Sequence, residues 1–179
     1  MNARGIAPQG YVSRHESFAA CYAVGKRLCT RGEWQSACRG KRHQRYPYGH
    51  QGQRGRCNTG KPHLLPLEFG TSPKGGWKYD EHFNSPVLNA KPGFLLPAGE
   101  LGECAGELGV FDLVGNLHEW VSGTVDQELV DRLEAEPIER KKQPWREGNG
   151  IFMGGFYSTT SEHGPGCEFT TIAHEPGYH

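Results

Sequence analysis

The chain has 179 residues, zero net formal charge and no block of basic residues, which sets aside nucleic acid and anionic membrane as main partners. Its length suits a single domain with a core of its own. Hydrophobic content of 35%, with 26 glycines and 12 prolines, excludes a helical bundle and favours short strands and tight turns, while four Trp, seven Tyr and eight Phe exclude a disordered chain.

Residues 1–12 read as a polar lead-in. Ser13-Arg14-His15-Glu16 is a capping box, with Ser13 as N-cap and Glu16 reaching back. The helix it starts carries Phe18, Cys21 and Tyr22 at helical spacing and stops at Gly25. Thr30-Arg31-Gly32-Glu33 is a second capping box, opening a short helix with Trp34, Ala37 and Cys38 on one face and a stop near Gly40. Residues 41–97 lack periodicity. Tyr46-Pro47-Tyr48-Gly49 and Cys57-Asn58-Thr59-Gly60 read as turns, and recurrent Gly, Pro and Asn predict ordered loop. Residues 126–142 are charged, with Leu129, Val130 and Leu133 at helical spacing, and predict a solvated surface helix or inserted loop. Residues 151–157 predict a core strand interrupted by Gly154-Gly155.

The centre of the chain is residues 109–120, apolar at Val110, Phe111, Leu113, Val114, Leu117 and Trp120, with Asp112 and Glu119 set among them. A carboxylate in apolar surroundings is costly unless paired or bound to a metal. Two acids around a glycine that turns carbonyls inward suit calcium, which takes carboxylate and carbonyl oxygens together. A strand and tight turn, with Asp112 capping and Glu119 solvated, accounts for the same residues.

Six cysteines occur at 21, 29, 38, 57, 104 and 167, with no CxxC pair to support a zinc or thioredoxin-type site. An even count in a glycine-rich chain predicts disulfides and an oxidising, extracytoplasmic or secreted setting. Residues 1–12 contain no apolar leader, and no stretch approaches a membrane-spanning length. Either the setting is not an oxidising one, or the chain lacks the start of its parent protein.

Five blocks now stand in order: Ala20-Cys21; residues 25–40, including Gly25-Lys26-Arg27-Leu28 and Glu33-Trp34; Tyr46-Pro47-Tyr48-Gly49; residues 109–120; and Met153-Gly154-Gly155. This series resembles the formylglycine-generating enzyme, or sulfatase-modifying factor, family, whose members show GKRLPT-x-x-EW, YPWG, G-L-x-D-M-x-GN-x-x-EW and RGGSW. The resemblance implies an α+β fold, a C-type-lectin-like variant with short strands, two small helices and much irregular backbone. It implies one domain over residues 1–179, missing the family's first strands and its closing strand.

The resemblance also assigns residues. Asp112, the carbonyls of Gly115 and Leu117, and Glu119 match a structural calcium site. Asn58 matches part of a second one, for which no acidic partner is evident, so that a plain turn role suits it better. Cys38 and Cys167 match a family disulfide. Cys21 matches a cysteine whose partner lies in the absent closing strand, so it is expected free; Cys29, Cys57 and Cys104 have no counterpart. Active members oxidise a substrate cysteine with copper(I) held by two cysteines after the glycine pair. Here the first position is Thr159 and the second falls at His163 or Gly164. A hydroxyl does not replace a thiolate for copper(I), so no catalytic residue is assigned and a binding or structural module, with a protein or glycan ligand, is the expected function. The alternatives are an active formylglycine-generating oxidoreductase or a non-haem iron enzyme of the same family. No H-x-H or H-x-x-x-H pair supports iron, and each histidine on its own, His118 among them, reads as a surface or hydrogen-bonded residue. A sugar-binding lectin lacks its signature, Glu175-Pro176-Gly177 being only a turn.

Overall fold

The computed structural model describes residues 5–138, 142–159 and 165–179. Both capping boxes form. Helix α1 spans Arg14–Ala23 and α2 spans Arg31–Arg39. At each start the Ser13 or Thr30 hydroxyl accepts the amide of the third helical residue, and Glu16 or Glu33 accepts the cap's own amide. A Schellman motif closes α1: Gly25, at φ 69°, donates to the Tyr22 carbonyl and Lys26 to that of Cys21. The two helices differ in burial. Trp34 and Cys38 of α2 enter the core. No residue of α1 is fully buried, and Phe18 and Tyr22 stack on each other in solvent at 50% and 73% exposure.

Residues 41–97 hold more structure than the sequence predicts. The turn at Tyr46 is closed by Tyr46 and Gly49, which exchange backbone hydrogen bonds of 2.8 and 3.2 Å. Beyond it lie α3, Leu64–Phe69, a π-helical turn, Tyr79–Phe83, and α4, Val87–Ala90. Such elements are too short for helical periodicity to register. Pro66 sits in the first turn of α3, where its missing N–H has no helical partner to lose. Burial of Leu64 and Leu65, with the His63 ring accepting the Leu65 amide at 3.2 Å, makes this helix.

The sheet has three antiparallel strands in the order β1 (Glu119–Trp120), β2 (Phe152–Met153), β3 (Thr170–Thr171), with Glu119 opposite Met153 and Met153 opposite Thr170. The strand predicted over residues 151–157 is therefore two residues long and central. Helix α5, Gln127–Ala135, starts where the Asp126 side chain accepts the Leu129 amide at 2.7 Å. Only its charged face is solvated: Leu129, Val130 and Leu133 join Trp34, Cys38, Val121, Val125, Met153 and Ile172 in the core. The whole is a small α+β architecture with little regular structure.

Two disulfides tie it. Cys38–Cys167 joins α2 to a 3-10 turn, Gly166–Glu168, across 129 residues, and Cys57–Cys104 closes a separation of 47. The second pairing is one that the sequence left open. Glu168, buried beside Cys167, also pairs with Arg39 at 2.7 Å and takes the Gln35 amide, so α2 is held by covalent, ionic and hydrogen bonds together. Cys21 and Cys29 are free thiols.

Candidate functional site

The central stretch folds as a tight turn leading into β1. Asp112, Gly115 and Asn116 take φ of 61°, 80° and 61°, in the left-handed region. At Gly115 a Cβ would lie 2.3 Å from the Asn58 carbonyl oxygen, and at Gly154 one would lie 2.4 Å from that of Leu113. Only glycine permits this approach, and across it the Gly115 amide donates to the Gly154 carbonyl at 2.9 Å. The turn and the glycine pair after β2 are thus one close-packed unit.

Asn116 fastens that unit. Its side-chain oxygen accepts from Asn58 Nδ2 at 2.8 Å and from the Leu96 amide at 3.0 Å, and its Nδ2 donates to the Leu96 carbonyl at 3.0 Å. Asn58 Nδ2 also donates to the Phe94 carbonyl at 2.8 Å, while its Oδ1 is buried with no partner among the described residues.

The two acids differ in partner and share an environment. Asp112 Oδ2 accepts the Gly99 amide at 2.7 Å, and Glu119 Oε2 accepts the Trp34 indole N–H at 2.5 Å. Burial raises both carboxyls above the usual range, Glu119 to about 7, where the Asp112 charge adds to the effect. Glu119 is therefore not the solvated acid of the strand-and-turn reading. A buried carboxyl whose ionisation is opposed by desolvation and by a neighbouring acid is one whose charge a bound cation would stabilise. Among the described residues no three Asp, Glu, His or Cys side chains converge. A cation here would need further oxygen donors from backbone carbonyls, amide side chains or water.

The same stretch lines a cavity of about 280 Å³. Trp120, Phe152, His118 and Phe156 stack in series along it, with successive ring centroids 3.7, 5.1 and 5.0 Å apart. Residues 9–12 cross one side, anchored by Trp120 Nε1 donating to the Val12 carbonyl at 3.0 Å. Burial lowers the His63, His118 and His174 imidazoles, His118 to about 3 with His174 adding to it, so all three are neutral at pH 7. Since His63 Nδ1 accepts the Leu65 amide, its proton is on Nε2. Neither ring nitrogen of His118 is paired among the described residues, and its Nδ1 is shut off from solvent. A larger space of about 480 Å³ lies elsewhere, against α5 and β3, and reaches Ile138 and Lys142 on either side of residues outside the described part.

The sequence profile of the sulfatase-modifying factor enzyme 1-like domain matches residues 1–175. The chain belongs to this family. It is 30% identical over 154 residues to a Bos taurus protein named inactive C-alpha-formylglycine-generating enzyme 2, covering 79% of this chain and 45% of that protein. It is 33% identical over 118 residues to a Mus musculus protein of the same name, covering 65% and 32%. The chain thus spans less than half the length of the curated relatives it matches. Among solved structures, the crystal structure of CarF covers 85% of this chain and 42% of its own, at 20% identity and a TM-score of 0.46.

In this sulfatase-modifying-factor-like chain the segment after the glycine pair is engaged structurally. Thr159 Oγ1 accepts the Phe156 amide at 2.9 Å, and its side chain packs so closely on Gly155 that a Cβ there would lie 2.6 Å from Oγ1. A hydroxyl occupied in closing a turn is no ligand for copper(I). The second matched position, His163 or Gly164, lies outside the described residues. The two free thiols belong to α1 and the α1–α2 link. Among the described residues, Thr159 at the first matched position does not fit copper(I).

Sequence reasoning missed two residues of this site. Asn116 was only part of a motif; an Asn directly after a turn glycine was the available signal, because Asn tolerates the left-handed region. His118 corrects the surface reading: its ring lies among Phe152, Phe156 and Phe169, and only its neighbours Leu117 and Trp120 hinted at that.

Proposed function

We propose that the chain is a catalytically degenerate domain of the formylglycine-generating-enzyme type, stabilised by calcium and acting as a binding or structural module. The observation that carries this is Thr159, a hydroxyl at the matched thiolate position and one already committed to the Phe156 amide. The names of both relatives, which call those proteins inactive, support it. Short strands, two capped helices and irregular backbone tied by two disulfides support the C-type-lectin-like variant of the fold. The disulfides also support an oxidising, extracytoplasmic or secreted setting.

Calcium would be held by the Asp112 and Glu119 carboxylates with the Gly115 and Leu117 carbonyls, a hard-oxygen set. Its chemistry is charge neutralisation: it relieves the opposition of the two acids and fixes the turn against α2 through the Trp34–Glu119 hydrogen bond. Asn58 Oδ1 is a candidate donor for a second calcium, but its Nδ2 bonds to Asn116 and Phe94 favour a purely structural role. The ligand of the module is a protein or a glycan.

The test is thermal unfolding with calcium and with chelator. Calcium at about 100 times its Kd adds about 2.7 kcal/mol, and Asp112→Asn or Glu119→Gln should abolish that gain. An unchanged melting temperature on chelation overturns the calcium site. Copper-dependent conversion of a sulfatase-type cysteine peptide to formylglycine overturns the degenerate assignment.

A further inference from the structure

The cavity beside β1 and β2 has a shape and chemistry that narrow its occupant. Apolar cavities of about 150 Å³ take benzene, so about 280 Å³ has room for a two-ring group. Among the described residues that line it, none is Asp, Glu, Lys or Arg, so an anion or a carboxylate would lose its water with no counter-charge in return. A cation has no better claim. The facing sides of Trp120, Phe152 and His118 are taken up by one another, and among the described lining residues no carboxylate is at hand to pair with a cation. Ring edges carry the positive end of the ring quadrupole and favour the face of another ring. Polar side chains remain in the lining, with Gln9, Tyr11, Tyr157 and His174 beside His63 and His118. His63 Nε2–H is a donor, and the His118 imidazole has no hydrogen-bond partner among the described residues. A buried polar group left unpaired is costly, and a ligand that supplies the partner recovers that cost.

We propose that this cavity is a binding site for an uncharged planar aromatic group bearing one hydrogen-bonding N–H or O–H, of the indole or phenol type. The inference names the ligand class of the binding module and rests on that reading. The ring comes either from a free small molecule or from a Trp or Tyr side chain of a partner protein; the recognition chemistry is the same.

The experiment is calorimetric and NMR titration of the full chain, in calcium buffer, with indole. Saturable binding is expected, with 1-methylindole, which lacks the donor, at least tenfold weaker. Tryptamine and indole-3-acetate, which add a cation and an anion, should also bind at least tenfold more weakly. Leu88→Trp, at a half-buried lining position on α4, should fill the cavity and abolish binding while the melting temperature and calcium response stay as in the wild type. His118→Phe keeps the ring stack and should erase the preference for indole over 1-methylindole. N-acetyl-tryptophanamide competing with indole identifies a partner side chain as the source, and indole binding without that competition identifies a small molecule. Absence of saturable indole binding, binding unaffected by Leu88→Trp, or equal affinity for tryptamine overturns the proposal. A protein that responds to calcium but binds no indole overturns this inference alone; one that binds indole without responding to calcium leaves it standing and removes the calcium site.

Discussion

Helices α1 and α2 begin with the same device and reach opposite ends. Both carry a hydroxyl N-cap and a glutamate three residues on, and both capping boxes close. Yet α2 sinks Trp34 and Cys38 into the core, bonds covalently to Cys167 and supports Glu119, whereas α1 presents Phe18 and Tyr22 to solvent. Its fastenings are weaker: Arg14 N donates to the Pro176 carbonyl at 3.1 Å and Arg14 Nε to that of Val121 at 3.3 Å, and Cys21 packs at the edge of the small cluster of Leu28, Trp120 and Phe152. A capping box decides that a helix exists. It says nothing about what the helix is packed against.

The largest expected effect lies on α2. Replacing Cys38 and Cys167 by Ser releases a loop of 129 residues and should cost about 5 kcal/mol in the chain-entropy picture, read as a fall in the denaturation midpoint. A fall of under about 1 kcal/mol would mean that packing and the Glu168 contacts hold α2 without the bridge.

Titration separates the two regions next. The Glu16 and Glu33 carboxylates are solvent-facing caps, and water screens their contribution. Of the cavity's imidazoles, those of His118 and His174 are half-buried, and that of His63 is more exposed but desolvated by its neighbours. Their folded pKa values are lowered, so the unfolded chain takes up protons near pH 6.5 and the folded chain does so only at lower pH, about 3 for His118. The imidazoles' share of stability is therefore full above about pH 6.5 and falls as the pH drops toward 3, by an amount on the order of several kcal/mol, while buried Glu119 acts with the opposite sign, its share being lost as the pH rises toward 7. His118→Phe should flatten most of that acid limb. An unaltered limb in the variant would place the responsible groups elsewhere.

The caps test the comparison directly. Ser13→Ala and Thr30→Ala remove equivalent hydroxyls, each worth about 1 kcal/mol of helix stability. Thr30→Ala should shift global unfolding by that amount. Ser13→Ala should raise amide exchange across α1 and move the global midpoint less, because α1 can fray without opening the core. Equal global shifts would show that α1 unfolds only with the rest. The smallest effect belongs to Phe18→Ala and Tyr22→Ala, each within about 0.5 kcal/mol; a larger loss would show that something covers this face in solution.

Legibility followed the range of the interactions. The capping boxes, the turn at Tyr46, the glycine pair and the acids of the central stretch are local patterns of residue type, and each could be read along the chain. Helices α3 and α4 could not, because tertiary burial rather than propensity makes elements of four to six residues. Helix α5 was visible as an amphipathic segment, but its charge suggested solvent where one face is core. The Cys57–Cys104 bridge was hidden because the three cysteines without a counterpart carry no record of which two meet. The cavity was hidden for the same reason: its walls come from residues 9–12, α3, α4, the central turn, β2 and residues 174–179, and no one segment announces it.

The sequence by itself determined the family, the two capped helices and the placing of two acids around a turn glycine. Thr159 at a thiolate position also needed only the order of motifs. The tertiary structure alone decided that Glu119 meets the Trp34 indole, that Asn116 rather than Asn58 is the centre of the buried hydrogen bonds, and that His118 lies inside an aromatic stack. The physical reason is distance along the chain. A cap or a left-handed turn is settled within four residues by backbone sterics and hydrogen bonding. The partner of a buried carboxylate or imidazole is whatever the remote chain brings beside it, and the charge that group carries follows from how completely that neighbour excludes water.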